Sequence, residues 1–505
     1  MKRTFLLILA ALISASSVLS SSLAGCAREE TSGSPTGTVP EDAVSGSPAE
    51  APAASEEDTE TERIAPDLSG RDYGGYAFRV WNYDNYRDNT WDPDQIPNDL
   101  ISEGLTGDTL NDAVYTRNRA TEEALNIVIT GENRNSGELS NGLRQSVVSG
   151  SDDVDGIFSR IYEFPTFVNN EYLYDLASVD ALRGDVPWRN AEANRVLTVK
   201  GRQFGMVSDI TFYDKISTIV TYFNQKLAAD YQLGNLYSTV EEDAWTLDAL
   251  LKMGADVSAD VNGDGKFDTN DAYPLSCQND AVYYFLHGAN LHICETDAEG
   301  NIVFTLPAEN AVTVLQKIYG IMGDERQFYN RQSFGASLTD AVNMFCENRV
   351  MFLVRPIQSL FLMRNMEADF GILPVPKVQE NQQSYGSAVN PYSATLLCFP
   401  KTVSDPERAG VISDALAWES HYTVIGPLYE NILGSKLIRD EGASRMLDIV
   451  FDTVVYDLGM IWNFGNVGMN MLTYHSTDVA SFLARNTKPV EADIRKLEKV
   501  LDNPG

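Results

Sequence analysis

Strand-like and helix-like segments alternate through the first third of the folded part of the chain. Residues 76–82 (YAFRVWN) are typical of a strand, and apolar residues recur at helical spacing over 108–126. A second strand is predicted at 127–129, a helix at 138–148 and a third strand at 154–159. This β-α-β-α-β order predicts an α/β fold with a parallel sheet and helices on both faces. Ligands of such sheets bind beside the carboxyl ends of the strands.

Helical periodicity continues through the remainder of the chain. It predicts six further helices, at 246–253, 309–322, 338–348, 406–418, 444–455 and 489–501. Asp405 is a suitable N-cap for the helix that opens at Pro406. Apolar runs at 350–354 and 395–399 predict two more strands. A chain of 505 residues is too long for one ordinary core and suits two lobes of about 200 residues each.

The N-terminus has the features of a secretion signal. Lys2 and Arg3 precede an apolar run at 5–13, which is too short to span a bilayer. Leu23-Ala24-Gly25-Cys26 resembles the lipobox of bacterial lipoproteins, which implies removal of residues 1–25 and diacylation of the Cys26 thiol. The alternative is an ordinary signal whose small residues happen to precede a cysteine. The prediction is an extracytoplasmic protein that two or more acyl chains anchor to the cell membrane.

Residues 26–66 are predicted to form the lipidated cysteine and a disordered tether. Residues 27–66 contain no aromatic residue, and Ser, Thr, Pro, Gly, Ala and Glu fill most of the segment. Such a composition cannot bury enough apolar surface to order itself. As a flexible coil it would reach about 35 Å.

Charge and composition exclude several classes of function. The chain has 72 acidic and 38 basic residues and a formal net charge of −34, which argues against nucleic acid as a partner. Four histidines do not suggest a His-rich metal site. Because the chain contains no GxSxG, GxxxxGK[ST], HExxH or CxxC signature, no catalytic residues are predicted.

An oxygen-rich loop at 260–271 fits the twelve-residue EF-hand pattern. Gly265 occupies the sixth position, where the loop turns sharply. The predicted Ca²⁺ ligands are Asp260, Asn262, Asp264, Lys266 (through its carbonyl), Asp268 and Asp271. Asp271 stands where sensor proteins carry a bidentate Glu, so we expect a single structural Ca²⁺. The alternative is a polar turn without metal.

Several segments resemble the extracellular family 1 solute-binding proteins of bacterial ABC importers, the maltose-binding-protein-like group. The resemblance rests on 222–227 (YFNQKL), 244–250 (AWTLDAL), 369–377 (DFGILPVPK), 399–401 (FPK) and 405–409 (DPERA). Residues 111–118 and 439–462 also resemble a subgroup of large lipoprotein receptors. The resemblance runs, with gaps, from about Tyr73 to the C-terminus.

This resemblance implies two α/β lobes that close on a solute about a hinge. The chain would cross between lobes near 211–220, 390–399 and 437–442. The expected N-terminal lobe comprises 67–215 and 395–438, and the expected C-terminal lobe comprises 216–394 and 439–505. The implied protein is a monomeric, non-enzymatic receptor that passes a carbohydrate, an oligosaccharide, to an ABC permease in the membrane. A surface glycoside hydrolase and a calcium-ordered adhesin are the alternatives.

Six residues are predicted to face the cleft between the lobes. They lie at strand ends or in loops that the family uses for its ligands: Trp81, Arg160, Tyr162, Glu163, Arg355 and Trp462. For each residue the alternative is core packing or a salt bridge between the lobes. Trp245 and Trp418 are expected to be core residues.

Four cysteines besides Cys26 remain. Cys346 and Cys398 are predicted to be buried thiols, while a disulfide between Cys277 and Cys294 is left open.

Overall fold

The computed structural model describes residues 64–84, 98–337, 339–379, 381–437 and 441–502. The predicted signal, Cys26 and most of the predicted tether lie outside these residues. In chain order the strands are β1 (Tyr76–Tyr83), β2 (Ile127–Arg134), β3 (Gly156–Arg160), β4 (Ile219–Asn224), β5 (Tyr273–Cys277), β6 (Cys294–Thr296), β7 (Ile302–Phe304), β8 (Phe328–Asn330), β9 (Val350–Pro356), β10 (Phe370–Leu373), β11 (Ser387–Ala388), β12 (Thr395–Cys398) and β13 (Val454–Val455).

The α-helices of the described residues range from one turn to more than six. They are α1 (Thr109–Leu125), α2 (Ser136–Ser149), α3 (Phe164–Asn169), α4 (Ala191–Leu197), α5 (Tyr213–Ile216), α6 (Gln225–Asp230), α7 (Leu236–Glu241), α8 (Leu247–Gly254), α9 (Ala281–Gly288), α10 (Glu309–Met322), α11 (Asp340–Cys346), α12 (Pro406–Thr423), α13 (Ile425–Leu437), α14 (Glu441–Asp452), α15 (Leu458–Trp462), α16 (Val467–Leu472) and α17 (Val479–Asp502). In the described part of the chain, none of them is long and apolar enough to cross a bilayer.

The first sheet has the predicted β-α-β-α-β core. Its strand order is β12-β3-β1-β2, in which β1 runs parallel to β2 and β3, and β12 runs antiparallel to β3. Asp108 caps α1 by accepting hydrogen bonds from the N–H groups of Leu110 and Asn111. Asn126 ends α1 in the left-handed region and leads directly into β2. We call the part of the molecule built on this sheet the first lobe.

The second sheet has the strand order β10-β4-β9-β5-β8. β5 runs parallel to β8 and β9, whereas β4 runs antiparallel to β9 and β10. The predicted strand at 350–354 therefore exists as β9 and extends to Pro356. We call the part built on this sheet the second lobe.

Two stretches of backbone cross between the sheets and hydrogen-bond to each other. The Asn390 N–H donates to the Ser217 carbonyl at 3.0 Å, and the hydroxyls of Ser217 and Ser393 lie 2.8 Å apart. β4 starts two residues after Ser217, and β12 starts two residues after Ser393. The paired crossing segments thus fix where one strand of each sheet begins. The third predicted crossing, 437–442, falls largely outside the described residues.

Most predicted helices are present, but two differ in their bounds: the helix predicted at 444–455 runs over Glu441–Asp452 and is followed by β13, and the last helix has an earlier start. The helix predicted at 309–322 matches α10, and α12 begins at Pro406 with Asp405 accepting the Arg408 N–H. The helix predicted from Pro489 begins instead at Val479, so that Pro489 lies inside α17. Phe482, Val490 and Ile494 form one buried face along α17. This continuous apolar face offsets the hydrogen bond that proline cannot make.

Two fully buried ionisable side chains, Arg117 and Asp99, lie in and just before the segment that forms α1. The Arg117 guanidinium, fully buried, donates to the carbonyls of Leu100 and Ile210 and to the Ser420 hydroxyl. Asp99 is also fully buried, and neither of its carboxylate oxygens has a hydrogen-bond partner in the described part of the chain. Burial raises the pKa of Asp99 to about 7, against the opposing effect of the positive charge on Arg117.

The raised pKa of Asp99 predicts a stability that falls with rising pH. The unfolded chain releases this proton near pH 4, whereas the folded protein keeps it until about pH 7. Stability from Asp99 is therefore complete below pH 4 and lost as the pH rises to about 7. We expect the free energy of unfolding, measured with urea, to fall by about 2–3 kcal/mol between pH 5 and pH 8 through this group. Asp99→Asn should remove that share of the decrease, and an unchanged pH profile would contradict the assignment.

Candidate functional site

Strands from both sheets end at the crossing segments, and their last residues carry polar side chains. In the first lobe, β3 ends at Arg160. In the second lobe, the parallel strands β5, β8 and β9 end beside Gln278, Arg331 and Arg355. Carboxyl ends of parallel strands lie at one edge of a sheet, so each lobe presents one polar edge. We call these residues and the crossing segment at Tyr392 the interlobe site.

On the first lobe, the interlobe site is built around an ion pair. The Arg160 guanidinium donates to both carboxylate oxygens of Glu163, and the Nε distance is 2.9 Å. Glu163 also accepts the Ser136 hydroxyl at 2.7 Å. The guanidinium carbon lies 4.5 Å from the centre of the Tyr83 ring. The result is a pre-oriented set of donors and acceptors with little net charge.

Two tyrosines join this ion pair to the crossing segment. The Tyr162 side chain is 42% exposed, and its ring centre lies 4.9 Å from that of Tyr392. The Tyr392 carbonyl accepts from Arg160 at 3.4 Å. Burial raises the pKa of Tyr392, and the negative charge of Asp280 acts in the same direction. Tyr392 is therefore within electrostatic range of Arg160 on the first lobe and of Asp280 on the second.

On the second lobe, two arginines share one neutral acceptor. The Gln278 side-chain oxygen accepts from Arg331 Nε at 3.0 Å and from Arg355 Nη1 at 3.1 Å. Asp280, only 6% exposed, accepts the Tyr283 hydroxyl at 3.2 Å. Burial raises the pKa of Asp280, while the charges of Arg331 and Arg355 oppose the rise. This edge can bind anionic or hydroxyl-rich groups.

The structure brings four of the six predicted site residues to this region. Arg160, Tyr162 and Glu163 lie together on the first lobe, and Arg355 lies at the polar edge of the second lobe. Their roles as ligand contacts stay predictions.

The two predicted tryptophans are buried. The buried Trp81 ring is covered by the Arg134 guanidinium at 3.6 Å and lies against Gly142 of α2. The buried Trp462 ring lies 5.4 Å from Phe164 of the first lobe, between centres, and stacks on Phe464. Trp462 thus packs against a residue of the first lobe. Trp245 is a core residue as predicted, with its N–H donating to the Pro374 carbonyl.

Sequence reasoning missed Gln278, Asp280, Arg331 and Tyr392. β5 and β8 are five and three residues long, too short to give a clear periodic signal. Tyr392 lies in the stretch predicted to cross between the lobes, and this location was the one signal that could have pointed to it.

The predicted calcium loop is closed and internally hydrogen-bonded. The Asp260 carboxylate accepts the N–H groups of Gly263, Asp264 and Gly265, and Gly265 has a φ of 81°. The buried Asp271 carboxylate accepts the N–H groups of Val261 and Asp268 at 2.8 Å. Oxygen donors and a left-handed sixth residue suit Ca²⁺. However, among the described residues no three acidic, histidine or cysteine side chains are gathered as a metal would require.

Calcium at this loop stays a prediction, with a direct test. Ca²⁺ binding to the folded state should raise the melting temperature, and a chelator should reverse the shift. The double variant Asp264→Asn/Asp268→Asn keeps side-chain oxygens as acceptors for the backbone but removes two charges, and it should lose the response. Scanning calorimetry with and without Ca²⁺ measures the shift. Equal melting temperatures, together with no metal in elemental analysis, would rule out a calcium site.

None of the four described cysteines forms a disulfide. The disulfide left open between Cys277 and Cys294 is therefore not formed, and both side chains are buried. Burial raises the pKa of Cys277 to about 12, so this thiol stays protonated. Cys398 is buried as predicted, whereas Cys346 is partly exposed.

Comparison with known proteins relates the chain to others through its fold. No family model and no curated protein matches the chain. Many solved structures do match. An ABC substrate-binding protein from Listeria monocytogenes in complex with cycloalternan has a TM-score of 0.51 and 12% identity, over 85% of this chain and 100% of that one. The galacto-N-biose/lacto-N-biose I-binding protein of Bifidobacterium longum has a TM-score of 0.54 and 12% identity, over 85% and 98%.

A third solved structure extends the comparison. The cyclic α-maltosyl-1,6-maltose binding protein of Arthrobacter globiformis has a TM-score of 0.54 and 14% identity, over 83% of this chain and 99% of that one. The chain thus has the two-lobe α/β fold of these binding proteins, as predicted. At such low identity the likeness establishes the fold and leaves the ligand to other arguments.

Proposed function

We propose that this protein is an extracytoplasmic receptor that binds a carbohydrate between its two lobes and delivers it to an ABC permease. The observation that carries the proposal is the interlobe site, where the Arg160–Glu163 pair of one lobe contacts the crossing segment at Tyr392 and the other lobe presents Arg331 and Arg355 at its strand ends. Proteins that share the fold have been solved with cycloalternan and with lacto-N-biose bound. No catalytic residue is assigned in this proposal.

The chemistry of the interlobe site suits a sugar. Pyranose rings have apolar C–H faces, which pack on aromatic rings, and hydroxyls, which need paired donors and acceptors. The exposed Tyr162 ring beside Tyr392 offers an aromatic surface. The guanidinium of Arg160 and the carboxylate of Glu163 are already held by each other, so that little entropy is lost when they bind a hydroxyl.

Closure about a hinge would explain why the proposed binding residues are divided between the two lobes. The paired segments at Ser217 and Asn390 join the two sheets, and the binding residues lie on both sides of this joint. A ligand that contacts both lobes binds the closed form better than the open form and shifts the population towards closure. The closed receptor is the form that a permease would recognise. We take the receptor to be a monomer.

Binding can be tested by calorimetry with one tyrosine variant in the interlobe site and a control tyrosine variant outside it. Oligosaccharides that raise the melting temperature of the protein are titrated into the wild type, Tyr162→Ala and Tyr231→Ala. Tyr162 (42% exposed) and Tyr231 (39% exposed) lose similar surface, but only Tyr162 belongs to the interlobe site. We expect Tyr162→Ala to weaken binding by about 1–3 kcal/mol and Tyr231→Ala to leave it unchanged.

Two results would contradict the receptor proposal. One is the absence of any carbohydrate that stabilises the protein across a broad oligosaccharide panel. The other is cleavage of a bound sugar, seen by chromatography after prolonged incubation, which would favour the glycoside hydrolase alternative.

Anchoring by lipid at Cys26 is part of the proposal. In cells fed with a labelled fatty acid, the wild type should carry the label and sediment with membranes. Cys26→Ala should lose the label. It should either leave the membrane fraction or retain its uncleaved signal peptide. Cys346→Ser, which alters a thiol of the folded part, should behave like the wild type. Label retained in Cys26→Ala would refute the lipobox interpretation.

A further inference from the structure

We infer that the ligand of the interlobe site is an acidic oligosaccharide, and that a sugar carboxylate binds between Arg331 and Arg355. This inference rests on the proposed receptor function and narrows it from carbohydrates in general to uronate-containing ones.

The arrangement of the two arginines supports an anionic ligand. Both guanidinium groups point at the same side-chain oxygen of Gln278, at 3.0 and 3.1 Å. The remaining hydrogen bonds of Arg331 and Arg355 go to the Ala336 carbonyl and the Ser359 hydroxyl, which are neutral. Two like charges are thus held together by uncharged acceptors.

Within the described residues, neither arginine has a carboxylate partner at ion-pair distance, although Arg355 is only 2% exposed. The contrast with Arg160 and Arg189 is direct, because these pair with Glu163 and Asp414. Removing a guanidinium from water without a counter-charge is unfavourable. An anion bound between the two groups would supply that counter-charge.

The nearest acid compensates only part of this positive charge. Asp280 lies close enough to influence both arginines but forms an ion pair with neither, and burial raises its pKa. Burial lowers the pKa of Arg331, and the charge of Arg355 lowers it further. With Asp280 ionised, the group of two arginines and one aspartate carries a net charge of +1. A single carboxylate matches it.

The pair of arginines stands out against the strongly negative net charge of the chain. A protein with a formal net charge of −34 repels anions in general. Selective binding of an acidic sugar therefore needs a positively charged site within the fold rather than a basic surface. Guanidinium groups suit this role since their N–H fork matches the geometry of a carboxylate. Across the interlobe site, Tyr162 of the first lobe and Tyr392 of the crossing segment offer their rings to the pyranose face.

The first test compares acidic oligosaccharides with their uncharged methyl esters. Oligogalacturonates, alginate oligomers and glucuronate-containing oligosaccharides are titrated into the full-length protein in a calorimeter. The methyl ester of each ligand is titrated in parallel. Sulfated and phosphorylated oligosaccharides form a further arm, because these anions also fit arginine. We expect at least one uronate ligand to bind 10-fold or more tightly than its ester, with affinity that falls as NaCl rises from 50 to 500 mM. Tighter binding of a sulfated or phosphorylated sugar than of every uronate would refute the carboxylate assignment.

The second test uses matched arginine variants. Arg331→Gln should weaken binding of the uronate ligand at least 10-fold and weaken binding of the methyl ester by a clearly smaller factor, since the ester loses only a neutral hydrogen bond. Arg326→Gln removes an exposed arginine at the opposite end of β8 and should change neither affinity. Equal losses for ester and acid in Arg331→Gln would indicate a structural role and refute the inference.

The outcomes separate the two proposals. If neutral oligosaccharides bind as tightly as acidic ones, the receptor function stands and the acidic ligand is refuted. If no sugar of either kind binds, the receptor function itself fails.

Discussion

The hydrogen-bonded pair of crossing segments is the constraint on which the architecture depends. Ser217 and Asn390 join two stretches of backbone, each followed within a few residues by a strand of a different sheet. Because the other strands of each sheet pair in register with these two strands, their positions are fixed as well. Their polar ends therefore lie beside the paired crossing segments. Arg160 and Arg355, which are 195 positions apart in the sequence, thereby come to the same region.

Local sequence signals were sufficient for the elements that carry their own caps and periodicity. Asp108 and Asp405 begin helices where the pattern placed them, and the helix at 309–322 follows from its apolar face. The start of the last helix was predicted wrongly at Pro489, because proline is more often found at the first turn of a helix than in its interior. In α17 the buried apolar face continues on both sides of Pro489, and this burial keeps the helix intact.

The interlobe site was only partly predictable, for a physical reason. Arg160 to Glu163 follow a strand with a strong apolar signal, so their location could be inferred. Arg331 follows a three-residue strand whose pairing with β5 is set by tertiary structure. The tryptophans illustrate a second limit of sequence reasoning. A large aromatic at a strand end can face a ligand or the core, and Trp81 packs against α2, an outcome that depends on contacts distant in the sequence.

The contact between Trp462 and Phe164 has a thermodynamic consequence. These rings belong to α3 of the first lobe and to α15 and lie 5.4 Å apart between centres; within the described residues, the buried Trp462 N–H has no hydrogen-bond partner. Under the proposed hinge motion, separating these rings would hydrate aromatic surface, so closure would lower the heat capacity of the protein. A polar ligand would then bind with the calorimetric signature of apolar burial, since much of the surface removed from water would belong to the protein and not to the sugar.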